Sequence, residues 1–331
     1  MRKVLVGIFL VAIIIVCGFY YFTGMKMKGA SIEKEIEVTD IDAIKVLSSS
    51  IDIEVVEGKG DKAVFTISGK AKPSLARKIS LDVKKSDRSI VAEAKFKKSI
   101  SFINFYRGSV SLKVALPKAM YEKITVNTSS GDVAYVDVST KELAIRSSSG
   151  DIAGKNIVVD GDVELTTSSG DISIRDMQMK NIVMDAASGD VTSQSITVDG
   201  EARLTSSGDI SSQHFKAKNI VMDATSGDIA ADYIAGEITA KTSSGDIELL
   251  LDSVKDNITL NTKSGDTAVI LKNKADNLGI DFISDSGDGT VIHSDVTFKE
   301  KKDHRIVGEI GNGNPVVKSR TNSGDFELIA Q

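Results

Sequence analysis

From residue 120 onward the apolar and polar positions of the chain repeat with a period close to nineteen residues. The marker is the triplet Ser-Gly-Asp, ending at Asp132, Asp151, Asp171, Asp190, Asp209, Asp228, Asp246, Asp266, Asp288 and Asp325, in steps of 19, 20, 19, 19, 19, 18, 20, 22 and 37. The last step is near two periods, and Gly311-Asn312-Gly313 stands where a degenerate copy is expected. The residue after the Asp is apolar in most copies: Val133, Ile152, Ile172, Val191, Ile210, Ile229, Ile247 and Phe326. A second apolar column follows six residues after the Asp, through Val138, Ile157, Met177, Ile196, Phe215 and Ile234. Eight and six residues before it stand Ile124/Val126, Leu143/Ile145, Val163/Leu165, Ile182/Met184, Ile220/Met222 and Ile258/Leu260. Each pair is a period-two alternation, the signature of a strand with one buried face. Position four before the Asp is small and usually Thr or Ser: Thr128, Ser147, Thr167, Thr205, Thr242, Thr262 and Thr321. The copy ending at Asp209 lacks one residue, which shifts Leu204 into the apolar column, and KNIVMDAASGD recurs almost verbatim two periods on as KNIVMDATSGD.

Gly enters the φ > 0 region without steric cost, and Ser and Asp side chains accept hydrogen bonds from nearby backbone N–H groups. Each triplet therefore predicts a sharp corner between strands. The corner residues are Gly131-Asp132, Gly150-Asp151, Gly170-Asp171, Gly189-Asp190, Gly208-Asp209, Gly227-Asp228, Gly245-Asp246, Gly265-Asp266, Gly287-Asp288 and Gly324-Asp325. Corners at this spacing, with apolar columns in constant phase, predict a parallel β-solenoid in which each coil covers the apolar side of its neighbours. An antiparallel sandwich of short strands is the competing reading. About eleven coils stacked at ~4.8 Å give a rod of roughly 50 Å. Neighbouring Asp at that spacing repel by about 0.9 kcal/mol in water, so the ladder needs hydrogen bonds or a bound cation. Calcium rolls place Asp at every short turn beside extra glycines. One Asp per coil fits hydrogen-bonded corners better than a calcium cage, and no cofactor or metal is expected.

The period begins earlier than the triplets do. Residues 41–53, IDAIKVLSSSIDI, already match the template, whereas 54–116 alternate strand-like runs out of phase. These predict an inserted antiparallel ribbon or cap, which a solenoid end needs against edge-to-edge association. Residues 4–22 run VLVGIFLVAIIIVCGFYYF without a charge, after Arg2 and Lys3. That length crosses a bilayer as a helix, and the leading basic pair favours a cytoplasmic N-terminus; a cleaved signal peptide is the competing reading, against which Gly18 is followed by bulky aromatics and not by a small-residue cleavage site. The expected fold is all-β, a parallel β-solenoid of ~19-residue coils with an antiparallel ribbon near the N-terminus and one N-terminal transmembrane helix. Its parts are a cytoplasmic stub at 1–3, a signal-anchor helix at 4–22, a juxtamembrane linker at 23–39, the first coil and basic cap at 40–119, and the solenoid at 120–331.

Composition supports a thin core of β-branched side chains, with no Trp, three Pro and 5% aromatic residues. The single Cys17 lies in the apolar run, and His214, His293 and His304 fit no triad or metal spacing, so no enzyme is expected. Charge is divided along the chain. Residues 70–123 hold 14 basic and 4 acidic side chains, whereas 124–331 hold 19 basic and 33 acidic. An acidic rod thus follows a basic segment close to the anchor. Within that segment residues 95–107, KFKKSISFINFYR, bring together Lys95, Phe96, Lys97, Lys98, Phe102, Phe105, Tyr106 and Arg107. Such a mixture lays rings into a lipid interface while cations meet anionic headgroups or polymer phosphates. It is the candidate ligand-binding segment, and a strand whose rings cap the solenoid is its structural counterpart. The partners expected are the bacterial membrane through the anchor and anionic wall polymer, anionic lipid or another envelope protein; nucleic acid is not expected outside the cytoplasm.

The Ser-Gly-Asp columns, the N-terminal anchor, the Gly-rich GEIGNGNPVV and the closing TNSGDFEL together resemble a bacterial family labelled "putative adhesin". The family includes LiaG-like proteins of cell-envelope stress operons, and the resemblance covers about 40–331. It implies a surface repeat protein and supplies no catalytic or binding residues. Two functions follow as expectations: an extracytoplasmic adhesion or binding module, or a structural accessory of an envelope-stress system acting on a membrane partner. A flat outward row of Thr and Ser would favour the first, and a mixed surface the second.

Overall fold

The computed structural model describes residues 28–71, 73–96 and 109–330. The expected stub and transmembrane helix at 1–22 lie outside the described residues. Among those described, no helix is long and apolar enough to cross a membrane.

The regular region is a stack of parallel coils, each giving one strand to each of two ladders. The first ladder runs through Tyr121–Thr128, Thr140–Ser147, Asp162–Thr167, Asn181–Ala186, Glu201–Ser206, the second half of Ile210–Ala224, Ala235–Lys241 and Ile258–Asn261. The second runs through Val133–Val136, Ile152–Val158, Ile172–Met179, Val191–Val198, the first half of Ile210–Ala224, Ile229–Asp232, Ile247–Leu251 and Thr267–Leu271. Equivalent repeat positions pair directly, as in Val126 with Ile145 and Ile145 with Leu165. This pairing excludes the antiparallel sandwich. Both apolar columns and the paired strand positions are buried, and Leu204 stands between Met184 and Met222 as the one-residue deletion requires. Small and large residues alternate inside: Tyr135 pairs with Gly154, where an added Cβ would meet Ile157 and Ile174 at 3.2 Å.

The two ends depart from sequence order. The first coil, Ala43–Ser48 and Asp52–Glu57, stacks on Tyr121–Thr128 and Val133–Val136 as expected. Its other side is covered by Ser89–Phe96 and Ser109–Leu116, both parallel to it. The expected antiparallel ribbon is thus only partly that, because two of its strands form a further coil beneath the first. Antiparallel strands then close this end: Ile79–Ser86 on the first ladder, and Lys62–Ala71 followed by Lys28–Glu37 on the second. Residues 28–37, expected as linker, are therefore an edge strand. They extend the sheet because Ile32 and Ile36 pack against the core while Glu33, Lys34 and Glu35 charge the edge.

The C-terminal end repeats this device. The last coil, Val316–Ser323 and Phe326–Ala330, threads back between Ile258–Asn261 with Thr267–Leu271 on one side and Leu278–Ser286 with Gly289–Ile292 on the other. The step of 37 contains no degenerate Ser-Gly-Asp corner. It contains the antiparallel hairpin Thr297–Lys302 and Arg305–Ile310, which covers the Leu278–Ser286 edge. Gly311-Asn312-Gly313 lies at another turn, where the Asn312 N–H donates to Asn277 Oδ1 at 3.0 Å. On this cap Asp281 accepts from Arg320 Nη2 at 2.6 Å and from Arg305. Partial burial raises its pKa, but the two guanidinium hydrogen bonds outweigh that and hold it below the ordinary carboxylate value.

Replacing Ile182 by Asp should cost at least about 3 kcal/mol in urea unfolding, because it buries an unpaired charge. A silent variant would refute the phase of the columns. Because folding lowers the Asp281 pKa, its contribution should be complete above the unfolded value of about 4 and should fade as pH drops through the folded value. The deficit of Asp281→Asn against wild type should therefore be constant at pH 5–7 and shrink toward pH 2. A deficit that grows on acidification would contradict the ion pairs.

Candidate functional site

The corners form one continuous ladder. The N–H of Asp132 donates to Oδ1 of Asp52, and each later corner repeats the bond one coil on: Asp151 to Asp132, Asp171 to Asp151, Asp190 to Asp171, Asp209 to Asp190, Asp228 to Asp209, Asp246 to Asp228 and Asp266 to Asp246. The ladder then follows space rather than sequence: the Asp325 N–H donates to Asp266 at 2.7 Å and the Asp288 N–H to Asp325 at 2.8 Å. A hydrogen bond to a charged acceptor contributes about 1.5–3 kcal/mol, more than the ~0.9 kcal/mol repulsion between adjacent carboxylates. The like charges are therefore tolerable at one per coil.

The glycines are needed for a reason different from the one expected. Gly131, Gly150, Gly170, Gly189, Gly208, Gly227, Gly245, Gly265 and Gly287 do not have positive φ, and of the corner glycines only Gly324 does, at 154°. What excludes a side chain is the coil below. A Cβ on Gly150 would stand 2.0 Å from the Gly131 carbonyl oxygen, and one on Gly189 2.0 Å from that of Gly170. The hydroxyl column completes the corner from inside. Thr167 Oγ1 accepts from the Gly170 N–H at 3.1 Å and donates to the Gly150 carbonyl at 3.0 Å. Thr128, Ser147, Thr242, Thr262 and Thr321 are likewise buried, and in the short copy Ser206, not Thr205, takes the place. The column cannot offer an outward row of hydroxyls to a ligand.

A third column escaped sequence reasoning. Five residues after the Asp, Asp137, Asn156, Asp176, Ser195, His214 and Tyr233 all adopt left-handed backbone, with φ between 52° and 58°. Ladder pairing skips this position, as between Lys155–Arg175 and Ile157–Met177, so the strand bends there and the coil gains a third side. Asp, Asn and Ser suit that conformation through local side-chain hydrogen bonding, and their recurrence was the available signal. His214 takes the fifth place in the column, and the bulkier Tyr233, which suits it poorly, the sixth. Their rings stack with centroids 4.9 Å apart, and Lys272 Nζ lies 4.3 Å from the Tyr233 centroid. In the next coil the bend is gone, because buried Leu251 replaces the left-handed residue. At this step a notch of about 150 Å³ opens beside Tyr233, under residues 252–256.

Of the expected basic-aromatic segment, Lys95 and Phe96 are described. Lys95 Nζ pairs with Glu93 at 2.8 Å, and Phe96 packs partly buried against the core. Lys97, Lys98, Phe102, Phe105, Tyr106 and Arg107 lie outside the described residues. His304 Nδ1 meets the Gly287 carbonyl at 2.9 Å. Among the described residues, no three His, Cys, Asp or Glu side chains are grouped to hold a metal ion.

The corner geometry separates two explanations for glycine. Gly189→Ala should destabilise by about 2 kcal/mol or more through overpacking, and Gly189→Asn should be no better. Rescue by Asn, which tolerates left-handed backbone, would restore the conformational explanation. Ser188→Ala, on the exposed side of the same corner, should cost under about 1 kcal/mol in the same denaturation measurement.

Comparison with solved structures finds several similar chains. A crystal structure described as a putative adhesin from Parabacteroides distasonis ATCC 8503 is 15% identical, with 91% of this chain and 98% of that one covered and a TM-score of 0.49. Another putative adhesin, from Bacteroides fragilis NCTC 9343, is 13% identical over 90% and 97%, with a TM-score of 0.39. A putative lipid binding protein from Parabacteroides distasonis ATCC 8503 is 15% identical over 92% and 98%, with a TM-score of 0.42. No curated protein matches. The Toastrack DUF4097 profile matches twice, at residues 41–206 and 160–328, so that successive stretches of the same stack satisfy it and, across nearly all of the solenoid, the chain belongs to the Toastrack DUF4097 family.

Proposed function

We propose that this protein is a non-enzymatic binding module held at the bacterial cell surface by its N-terminal apolar run. The observation that carries the reading is the way the stack ends. Charged antiparallel strands cover both ladders at the N-terminal end and the first ladder at the C-terminal end, so that among the described residues the four-residue strand Gly289–Ile292 is the one parallel end strand that no antiparallel strand covers. Contacts with a partner then fall along the exposed sides of the rod, where stacking brings equivalent positions of successive coils into line. The run at 4–22 adjoins the first strand, so an anchor there holds the rod by its basic end, with the acidic coils extending outward. Envelope polymer, anionic lipid or another envelope protein is the partner class this arrangement suits. The burial of the hydroxyl column favours the accessory reading to one extent: any binding must use side chains other than that row.

The full chain expressed in a bacterial host should sediment with membranes, and its lysines should react with a membrane-impermeant amine reagent on intact cells. Removing residues 1–27 should release a β-rich protein from the membrane fraction. Labelling only after lysis, or membrane retention without those residues, would contradict the proposal.

A further inference from the structure

The notch beside Tyr233 is where the solenoid changes cross-section. Up to that coil a left-handed residue bends each coil; in the next the strand ends at Leu251 without one, and residues 252–257 connect it to Ile258–Asn261. Buried Ile234, Ile238, Leu251 and Ile258 form an aliphatic floor, and exposed Asp252, Lys255 and Asp256 stand at the rim. The wall is Tyr233, whose ring is sandwiched between His214 and Lys272. A bulky residue in left-handed backbone is strained, and two consecutive coils keep aromatic rings there where four earlier ones use Asp, Asn or Ser. The strain is retained at a step in the stack that opens a notch down to the core.

Three properties narrow the ligand. A volume of about 150 Å³ admits one six-membered ring, not a chain. An aliphatic floor beneath a polar rim asks for a ligand with one apolar face and a hydroxylated periphery, because carboxylates accept from hydroxyls while ammonium groups donate to them. Around the notch Asp252 and Asp256 balance Lys255 and Lys272, so neither an anion nor a cation is favoured by net charge. We infer that this notch is a carbohydrate-binding site that takes a single uncharged pyranose ring, its C–H face on the floor and its hydroxyls on the Asp252 and Asp256 carboxylates. The inference rests on the binding-module reading and supplies its ligand class: a sugar unit of an envelope polysaccharide, reached from the side of the rod.

The test is saturation-transfer NMR on the full chain in detergent micelles, with glucose, galactose and N-acetylglucosamine as separate millimolar probes. At least one should receive transfer, concentrated on its ring protons. Val254→Trp, which fills the notch, and the double change Asp252→Asn with Asp256→Asn should each reduce it at least fivefold, while Thr197→Ala elsewhere on the rod leaves it unchanged. The double Asn variant alters only exposed side chains, so it still tests the site if the Trp variant fails to fold, as judged by circular dichroism. Transfer to none of the sugars, or transfer undiminished in the folded variants, overturns the site. Co-sedimentation with purified cell-wall polysaccharide separates the two levels. Binding that persists in the double Asn variant removes the notch and leaves the module, whereas no binding by the wild-type chain removes both.

Discussion

Everything in this structure depends on how closely successive corners approach. At each one a glycine lies against the coil below with no room for a Cβ, in most cases against the carbonyl of the glycine beneath, and the next residue hands its N–H to the carboxylate of the Asp beneath. The contact fixes the coil spacing at that of a parallel β-ladder and fixes the register to the residue. A slip of one position would bring a Ser or Asp side chain against a carbonyl. It would also turn the buried columns outward, since strand side chains alternate between faces. The hydroxyl of Thr167 and its equivalents locks the same corner from within, except in the two coils where Ala186 and Ala224 take that position.

The ends show what a stack of such coils requires. An uncovered coil would present open ladder edges, and the chain avoids this by placing neither its first nor its last coil outermost. Ala43–Ser48 pairs on both sides, and so does Val316–Ser323. Both therefore depend on contacts with segments remote in sequence, which raises contact order. The same arrangement gathers Lys84 and Lys85 on the outer strand Ile79–Ser86, at the end that Lys28–Glu37 also closes. The basic and acidic stretches of the sequence thereby become opposite parts of one rod.

The regular coils were legible because burial repeats locally. Val133, Ile152 and Ile172 share a column in space for the same reason that they share a phase in the chain. Even the shortened copy at Asp209 announced its realignment through Leu204. What was not legible depends on neighbours that periodicity does not encode. Gly150 looks the same in sequence whether it serves φ or close packing, and only the Gly131 carbonyl decides. Thr167 and its equivalents were assigned no face, because they stand at the strand end, where alternation gives way to the corner. The step of 37 read as a worn repeat, whereas it records a hairpin and a chain that threads back. The left-handed column held a usable signal in Asp137, Asn156 and Asp176, but His214 and Tyr233 hid it at the two coils nearest the notch.

The central claim is that stacked position, not sequence position, orders the coils, and distances between spin labels measure it most directly. Ala134, Ala230, Glu248, Glu327 and Thr290 belong to one outward column linked by successive pairings. At ~4.8 Å per coil, a label at 134 should lie about 24 Å from 230, about 29 Å from 248 and about 38 Å from 327. It should lie farther still, about 43 Å, from 290, although 290 precedes 327 in the chain. Distances that fail to grow with coil number, or a 134–290 distance shorter than 134–327, would contradict the account.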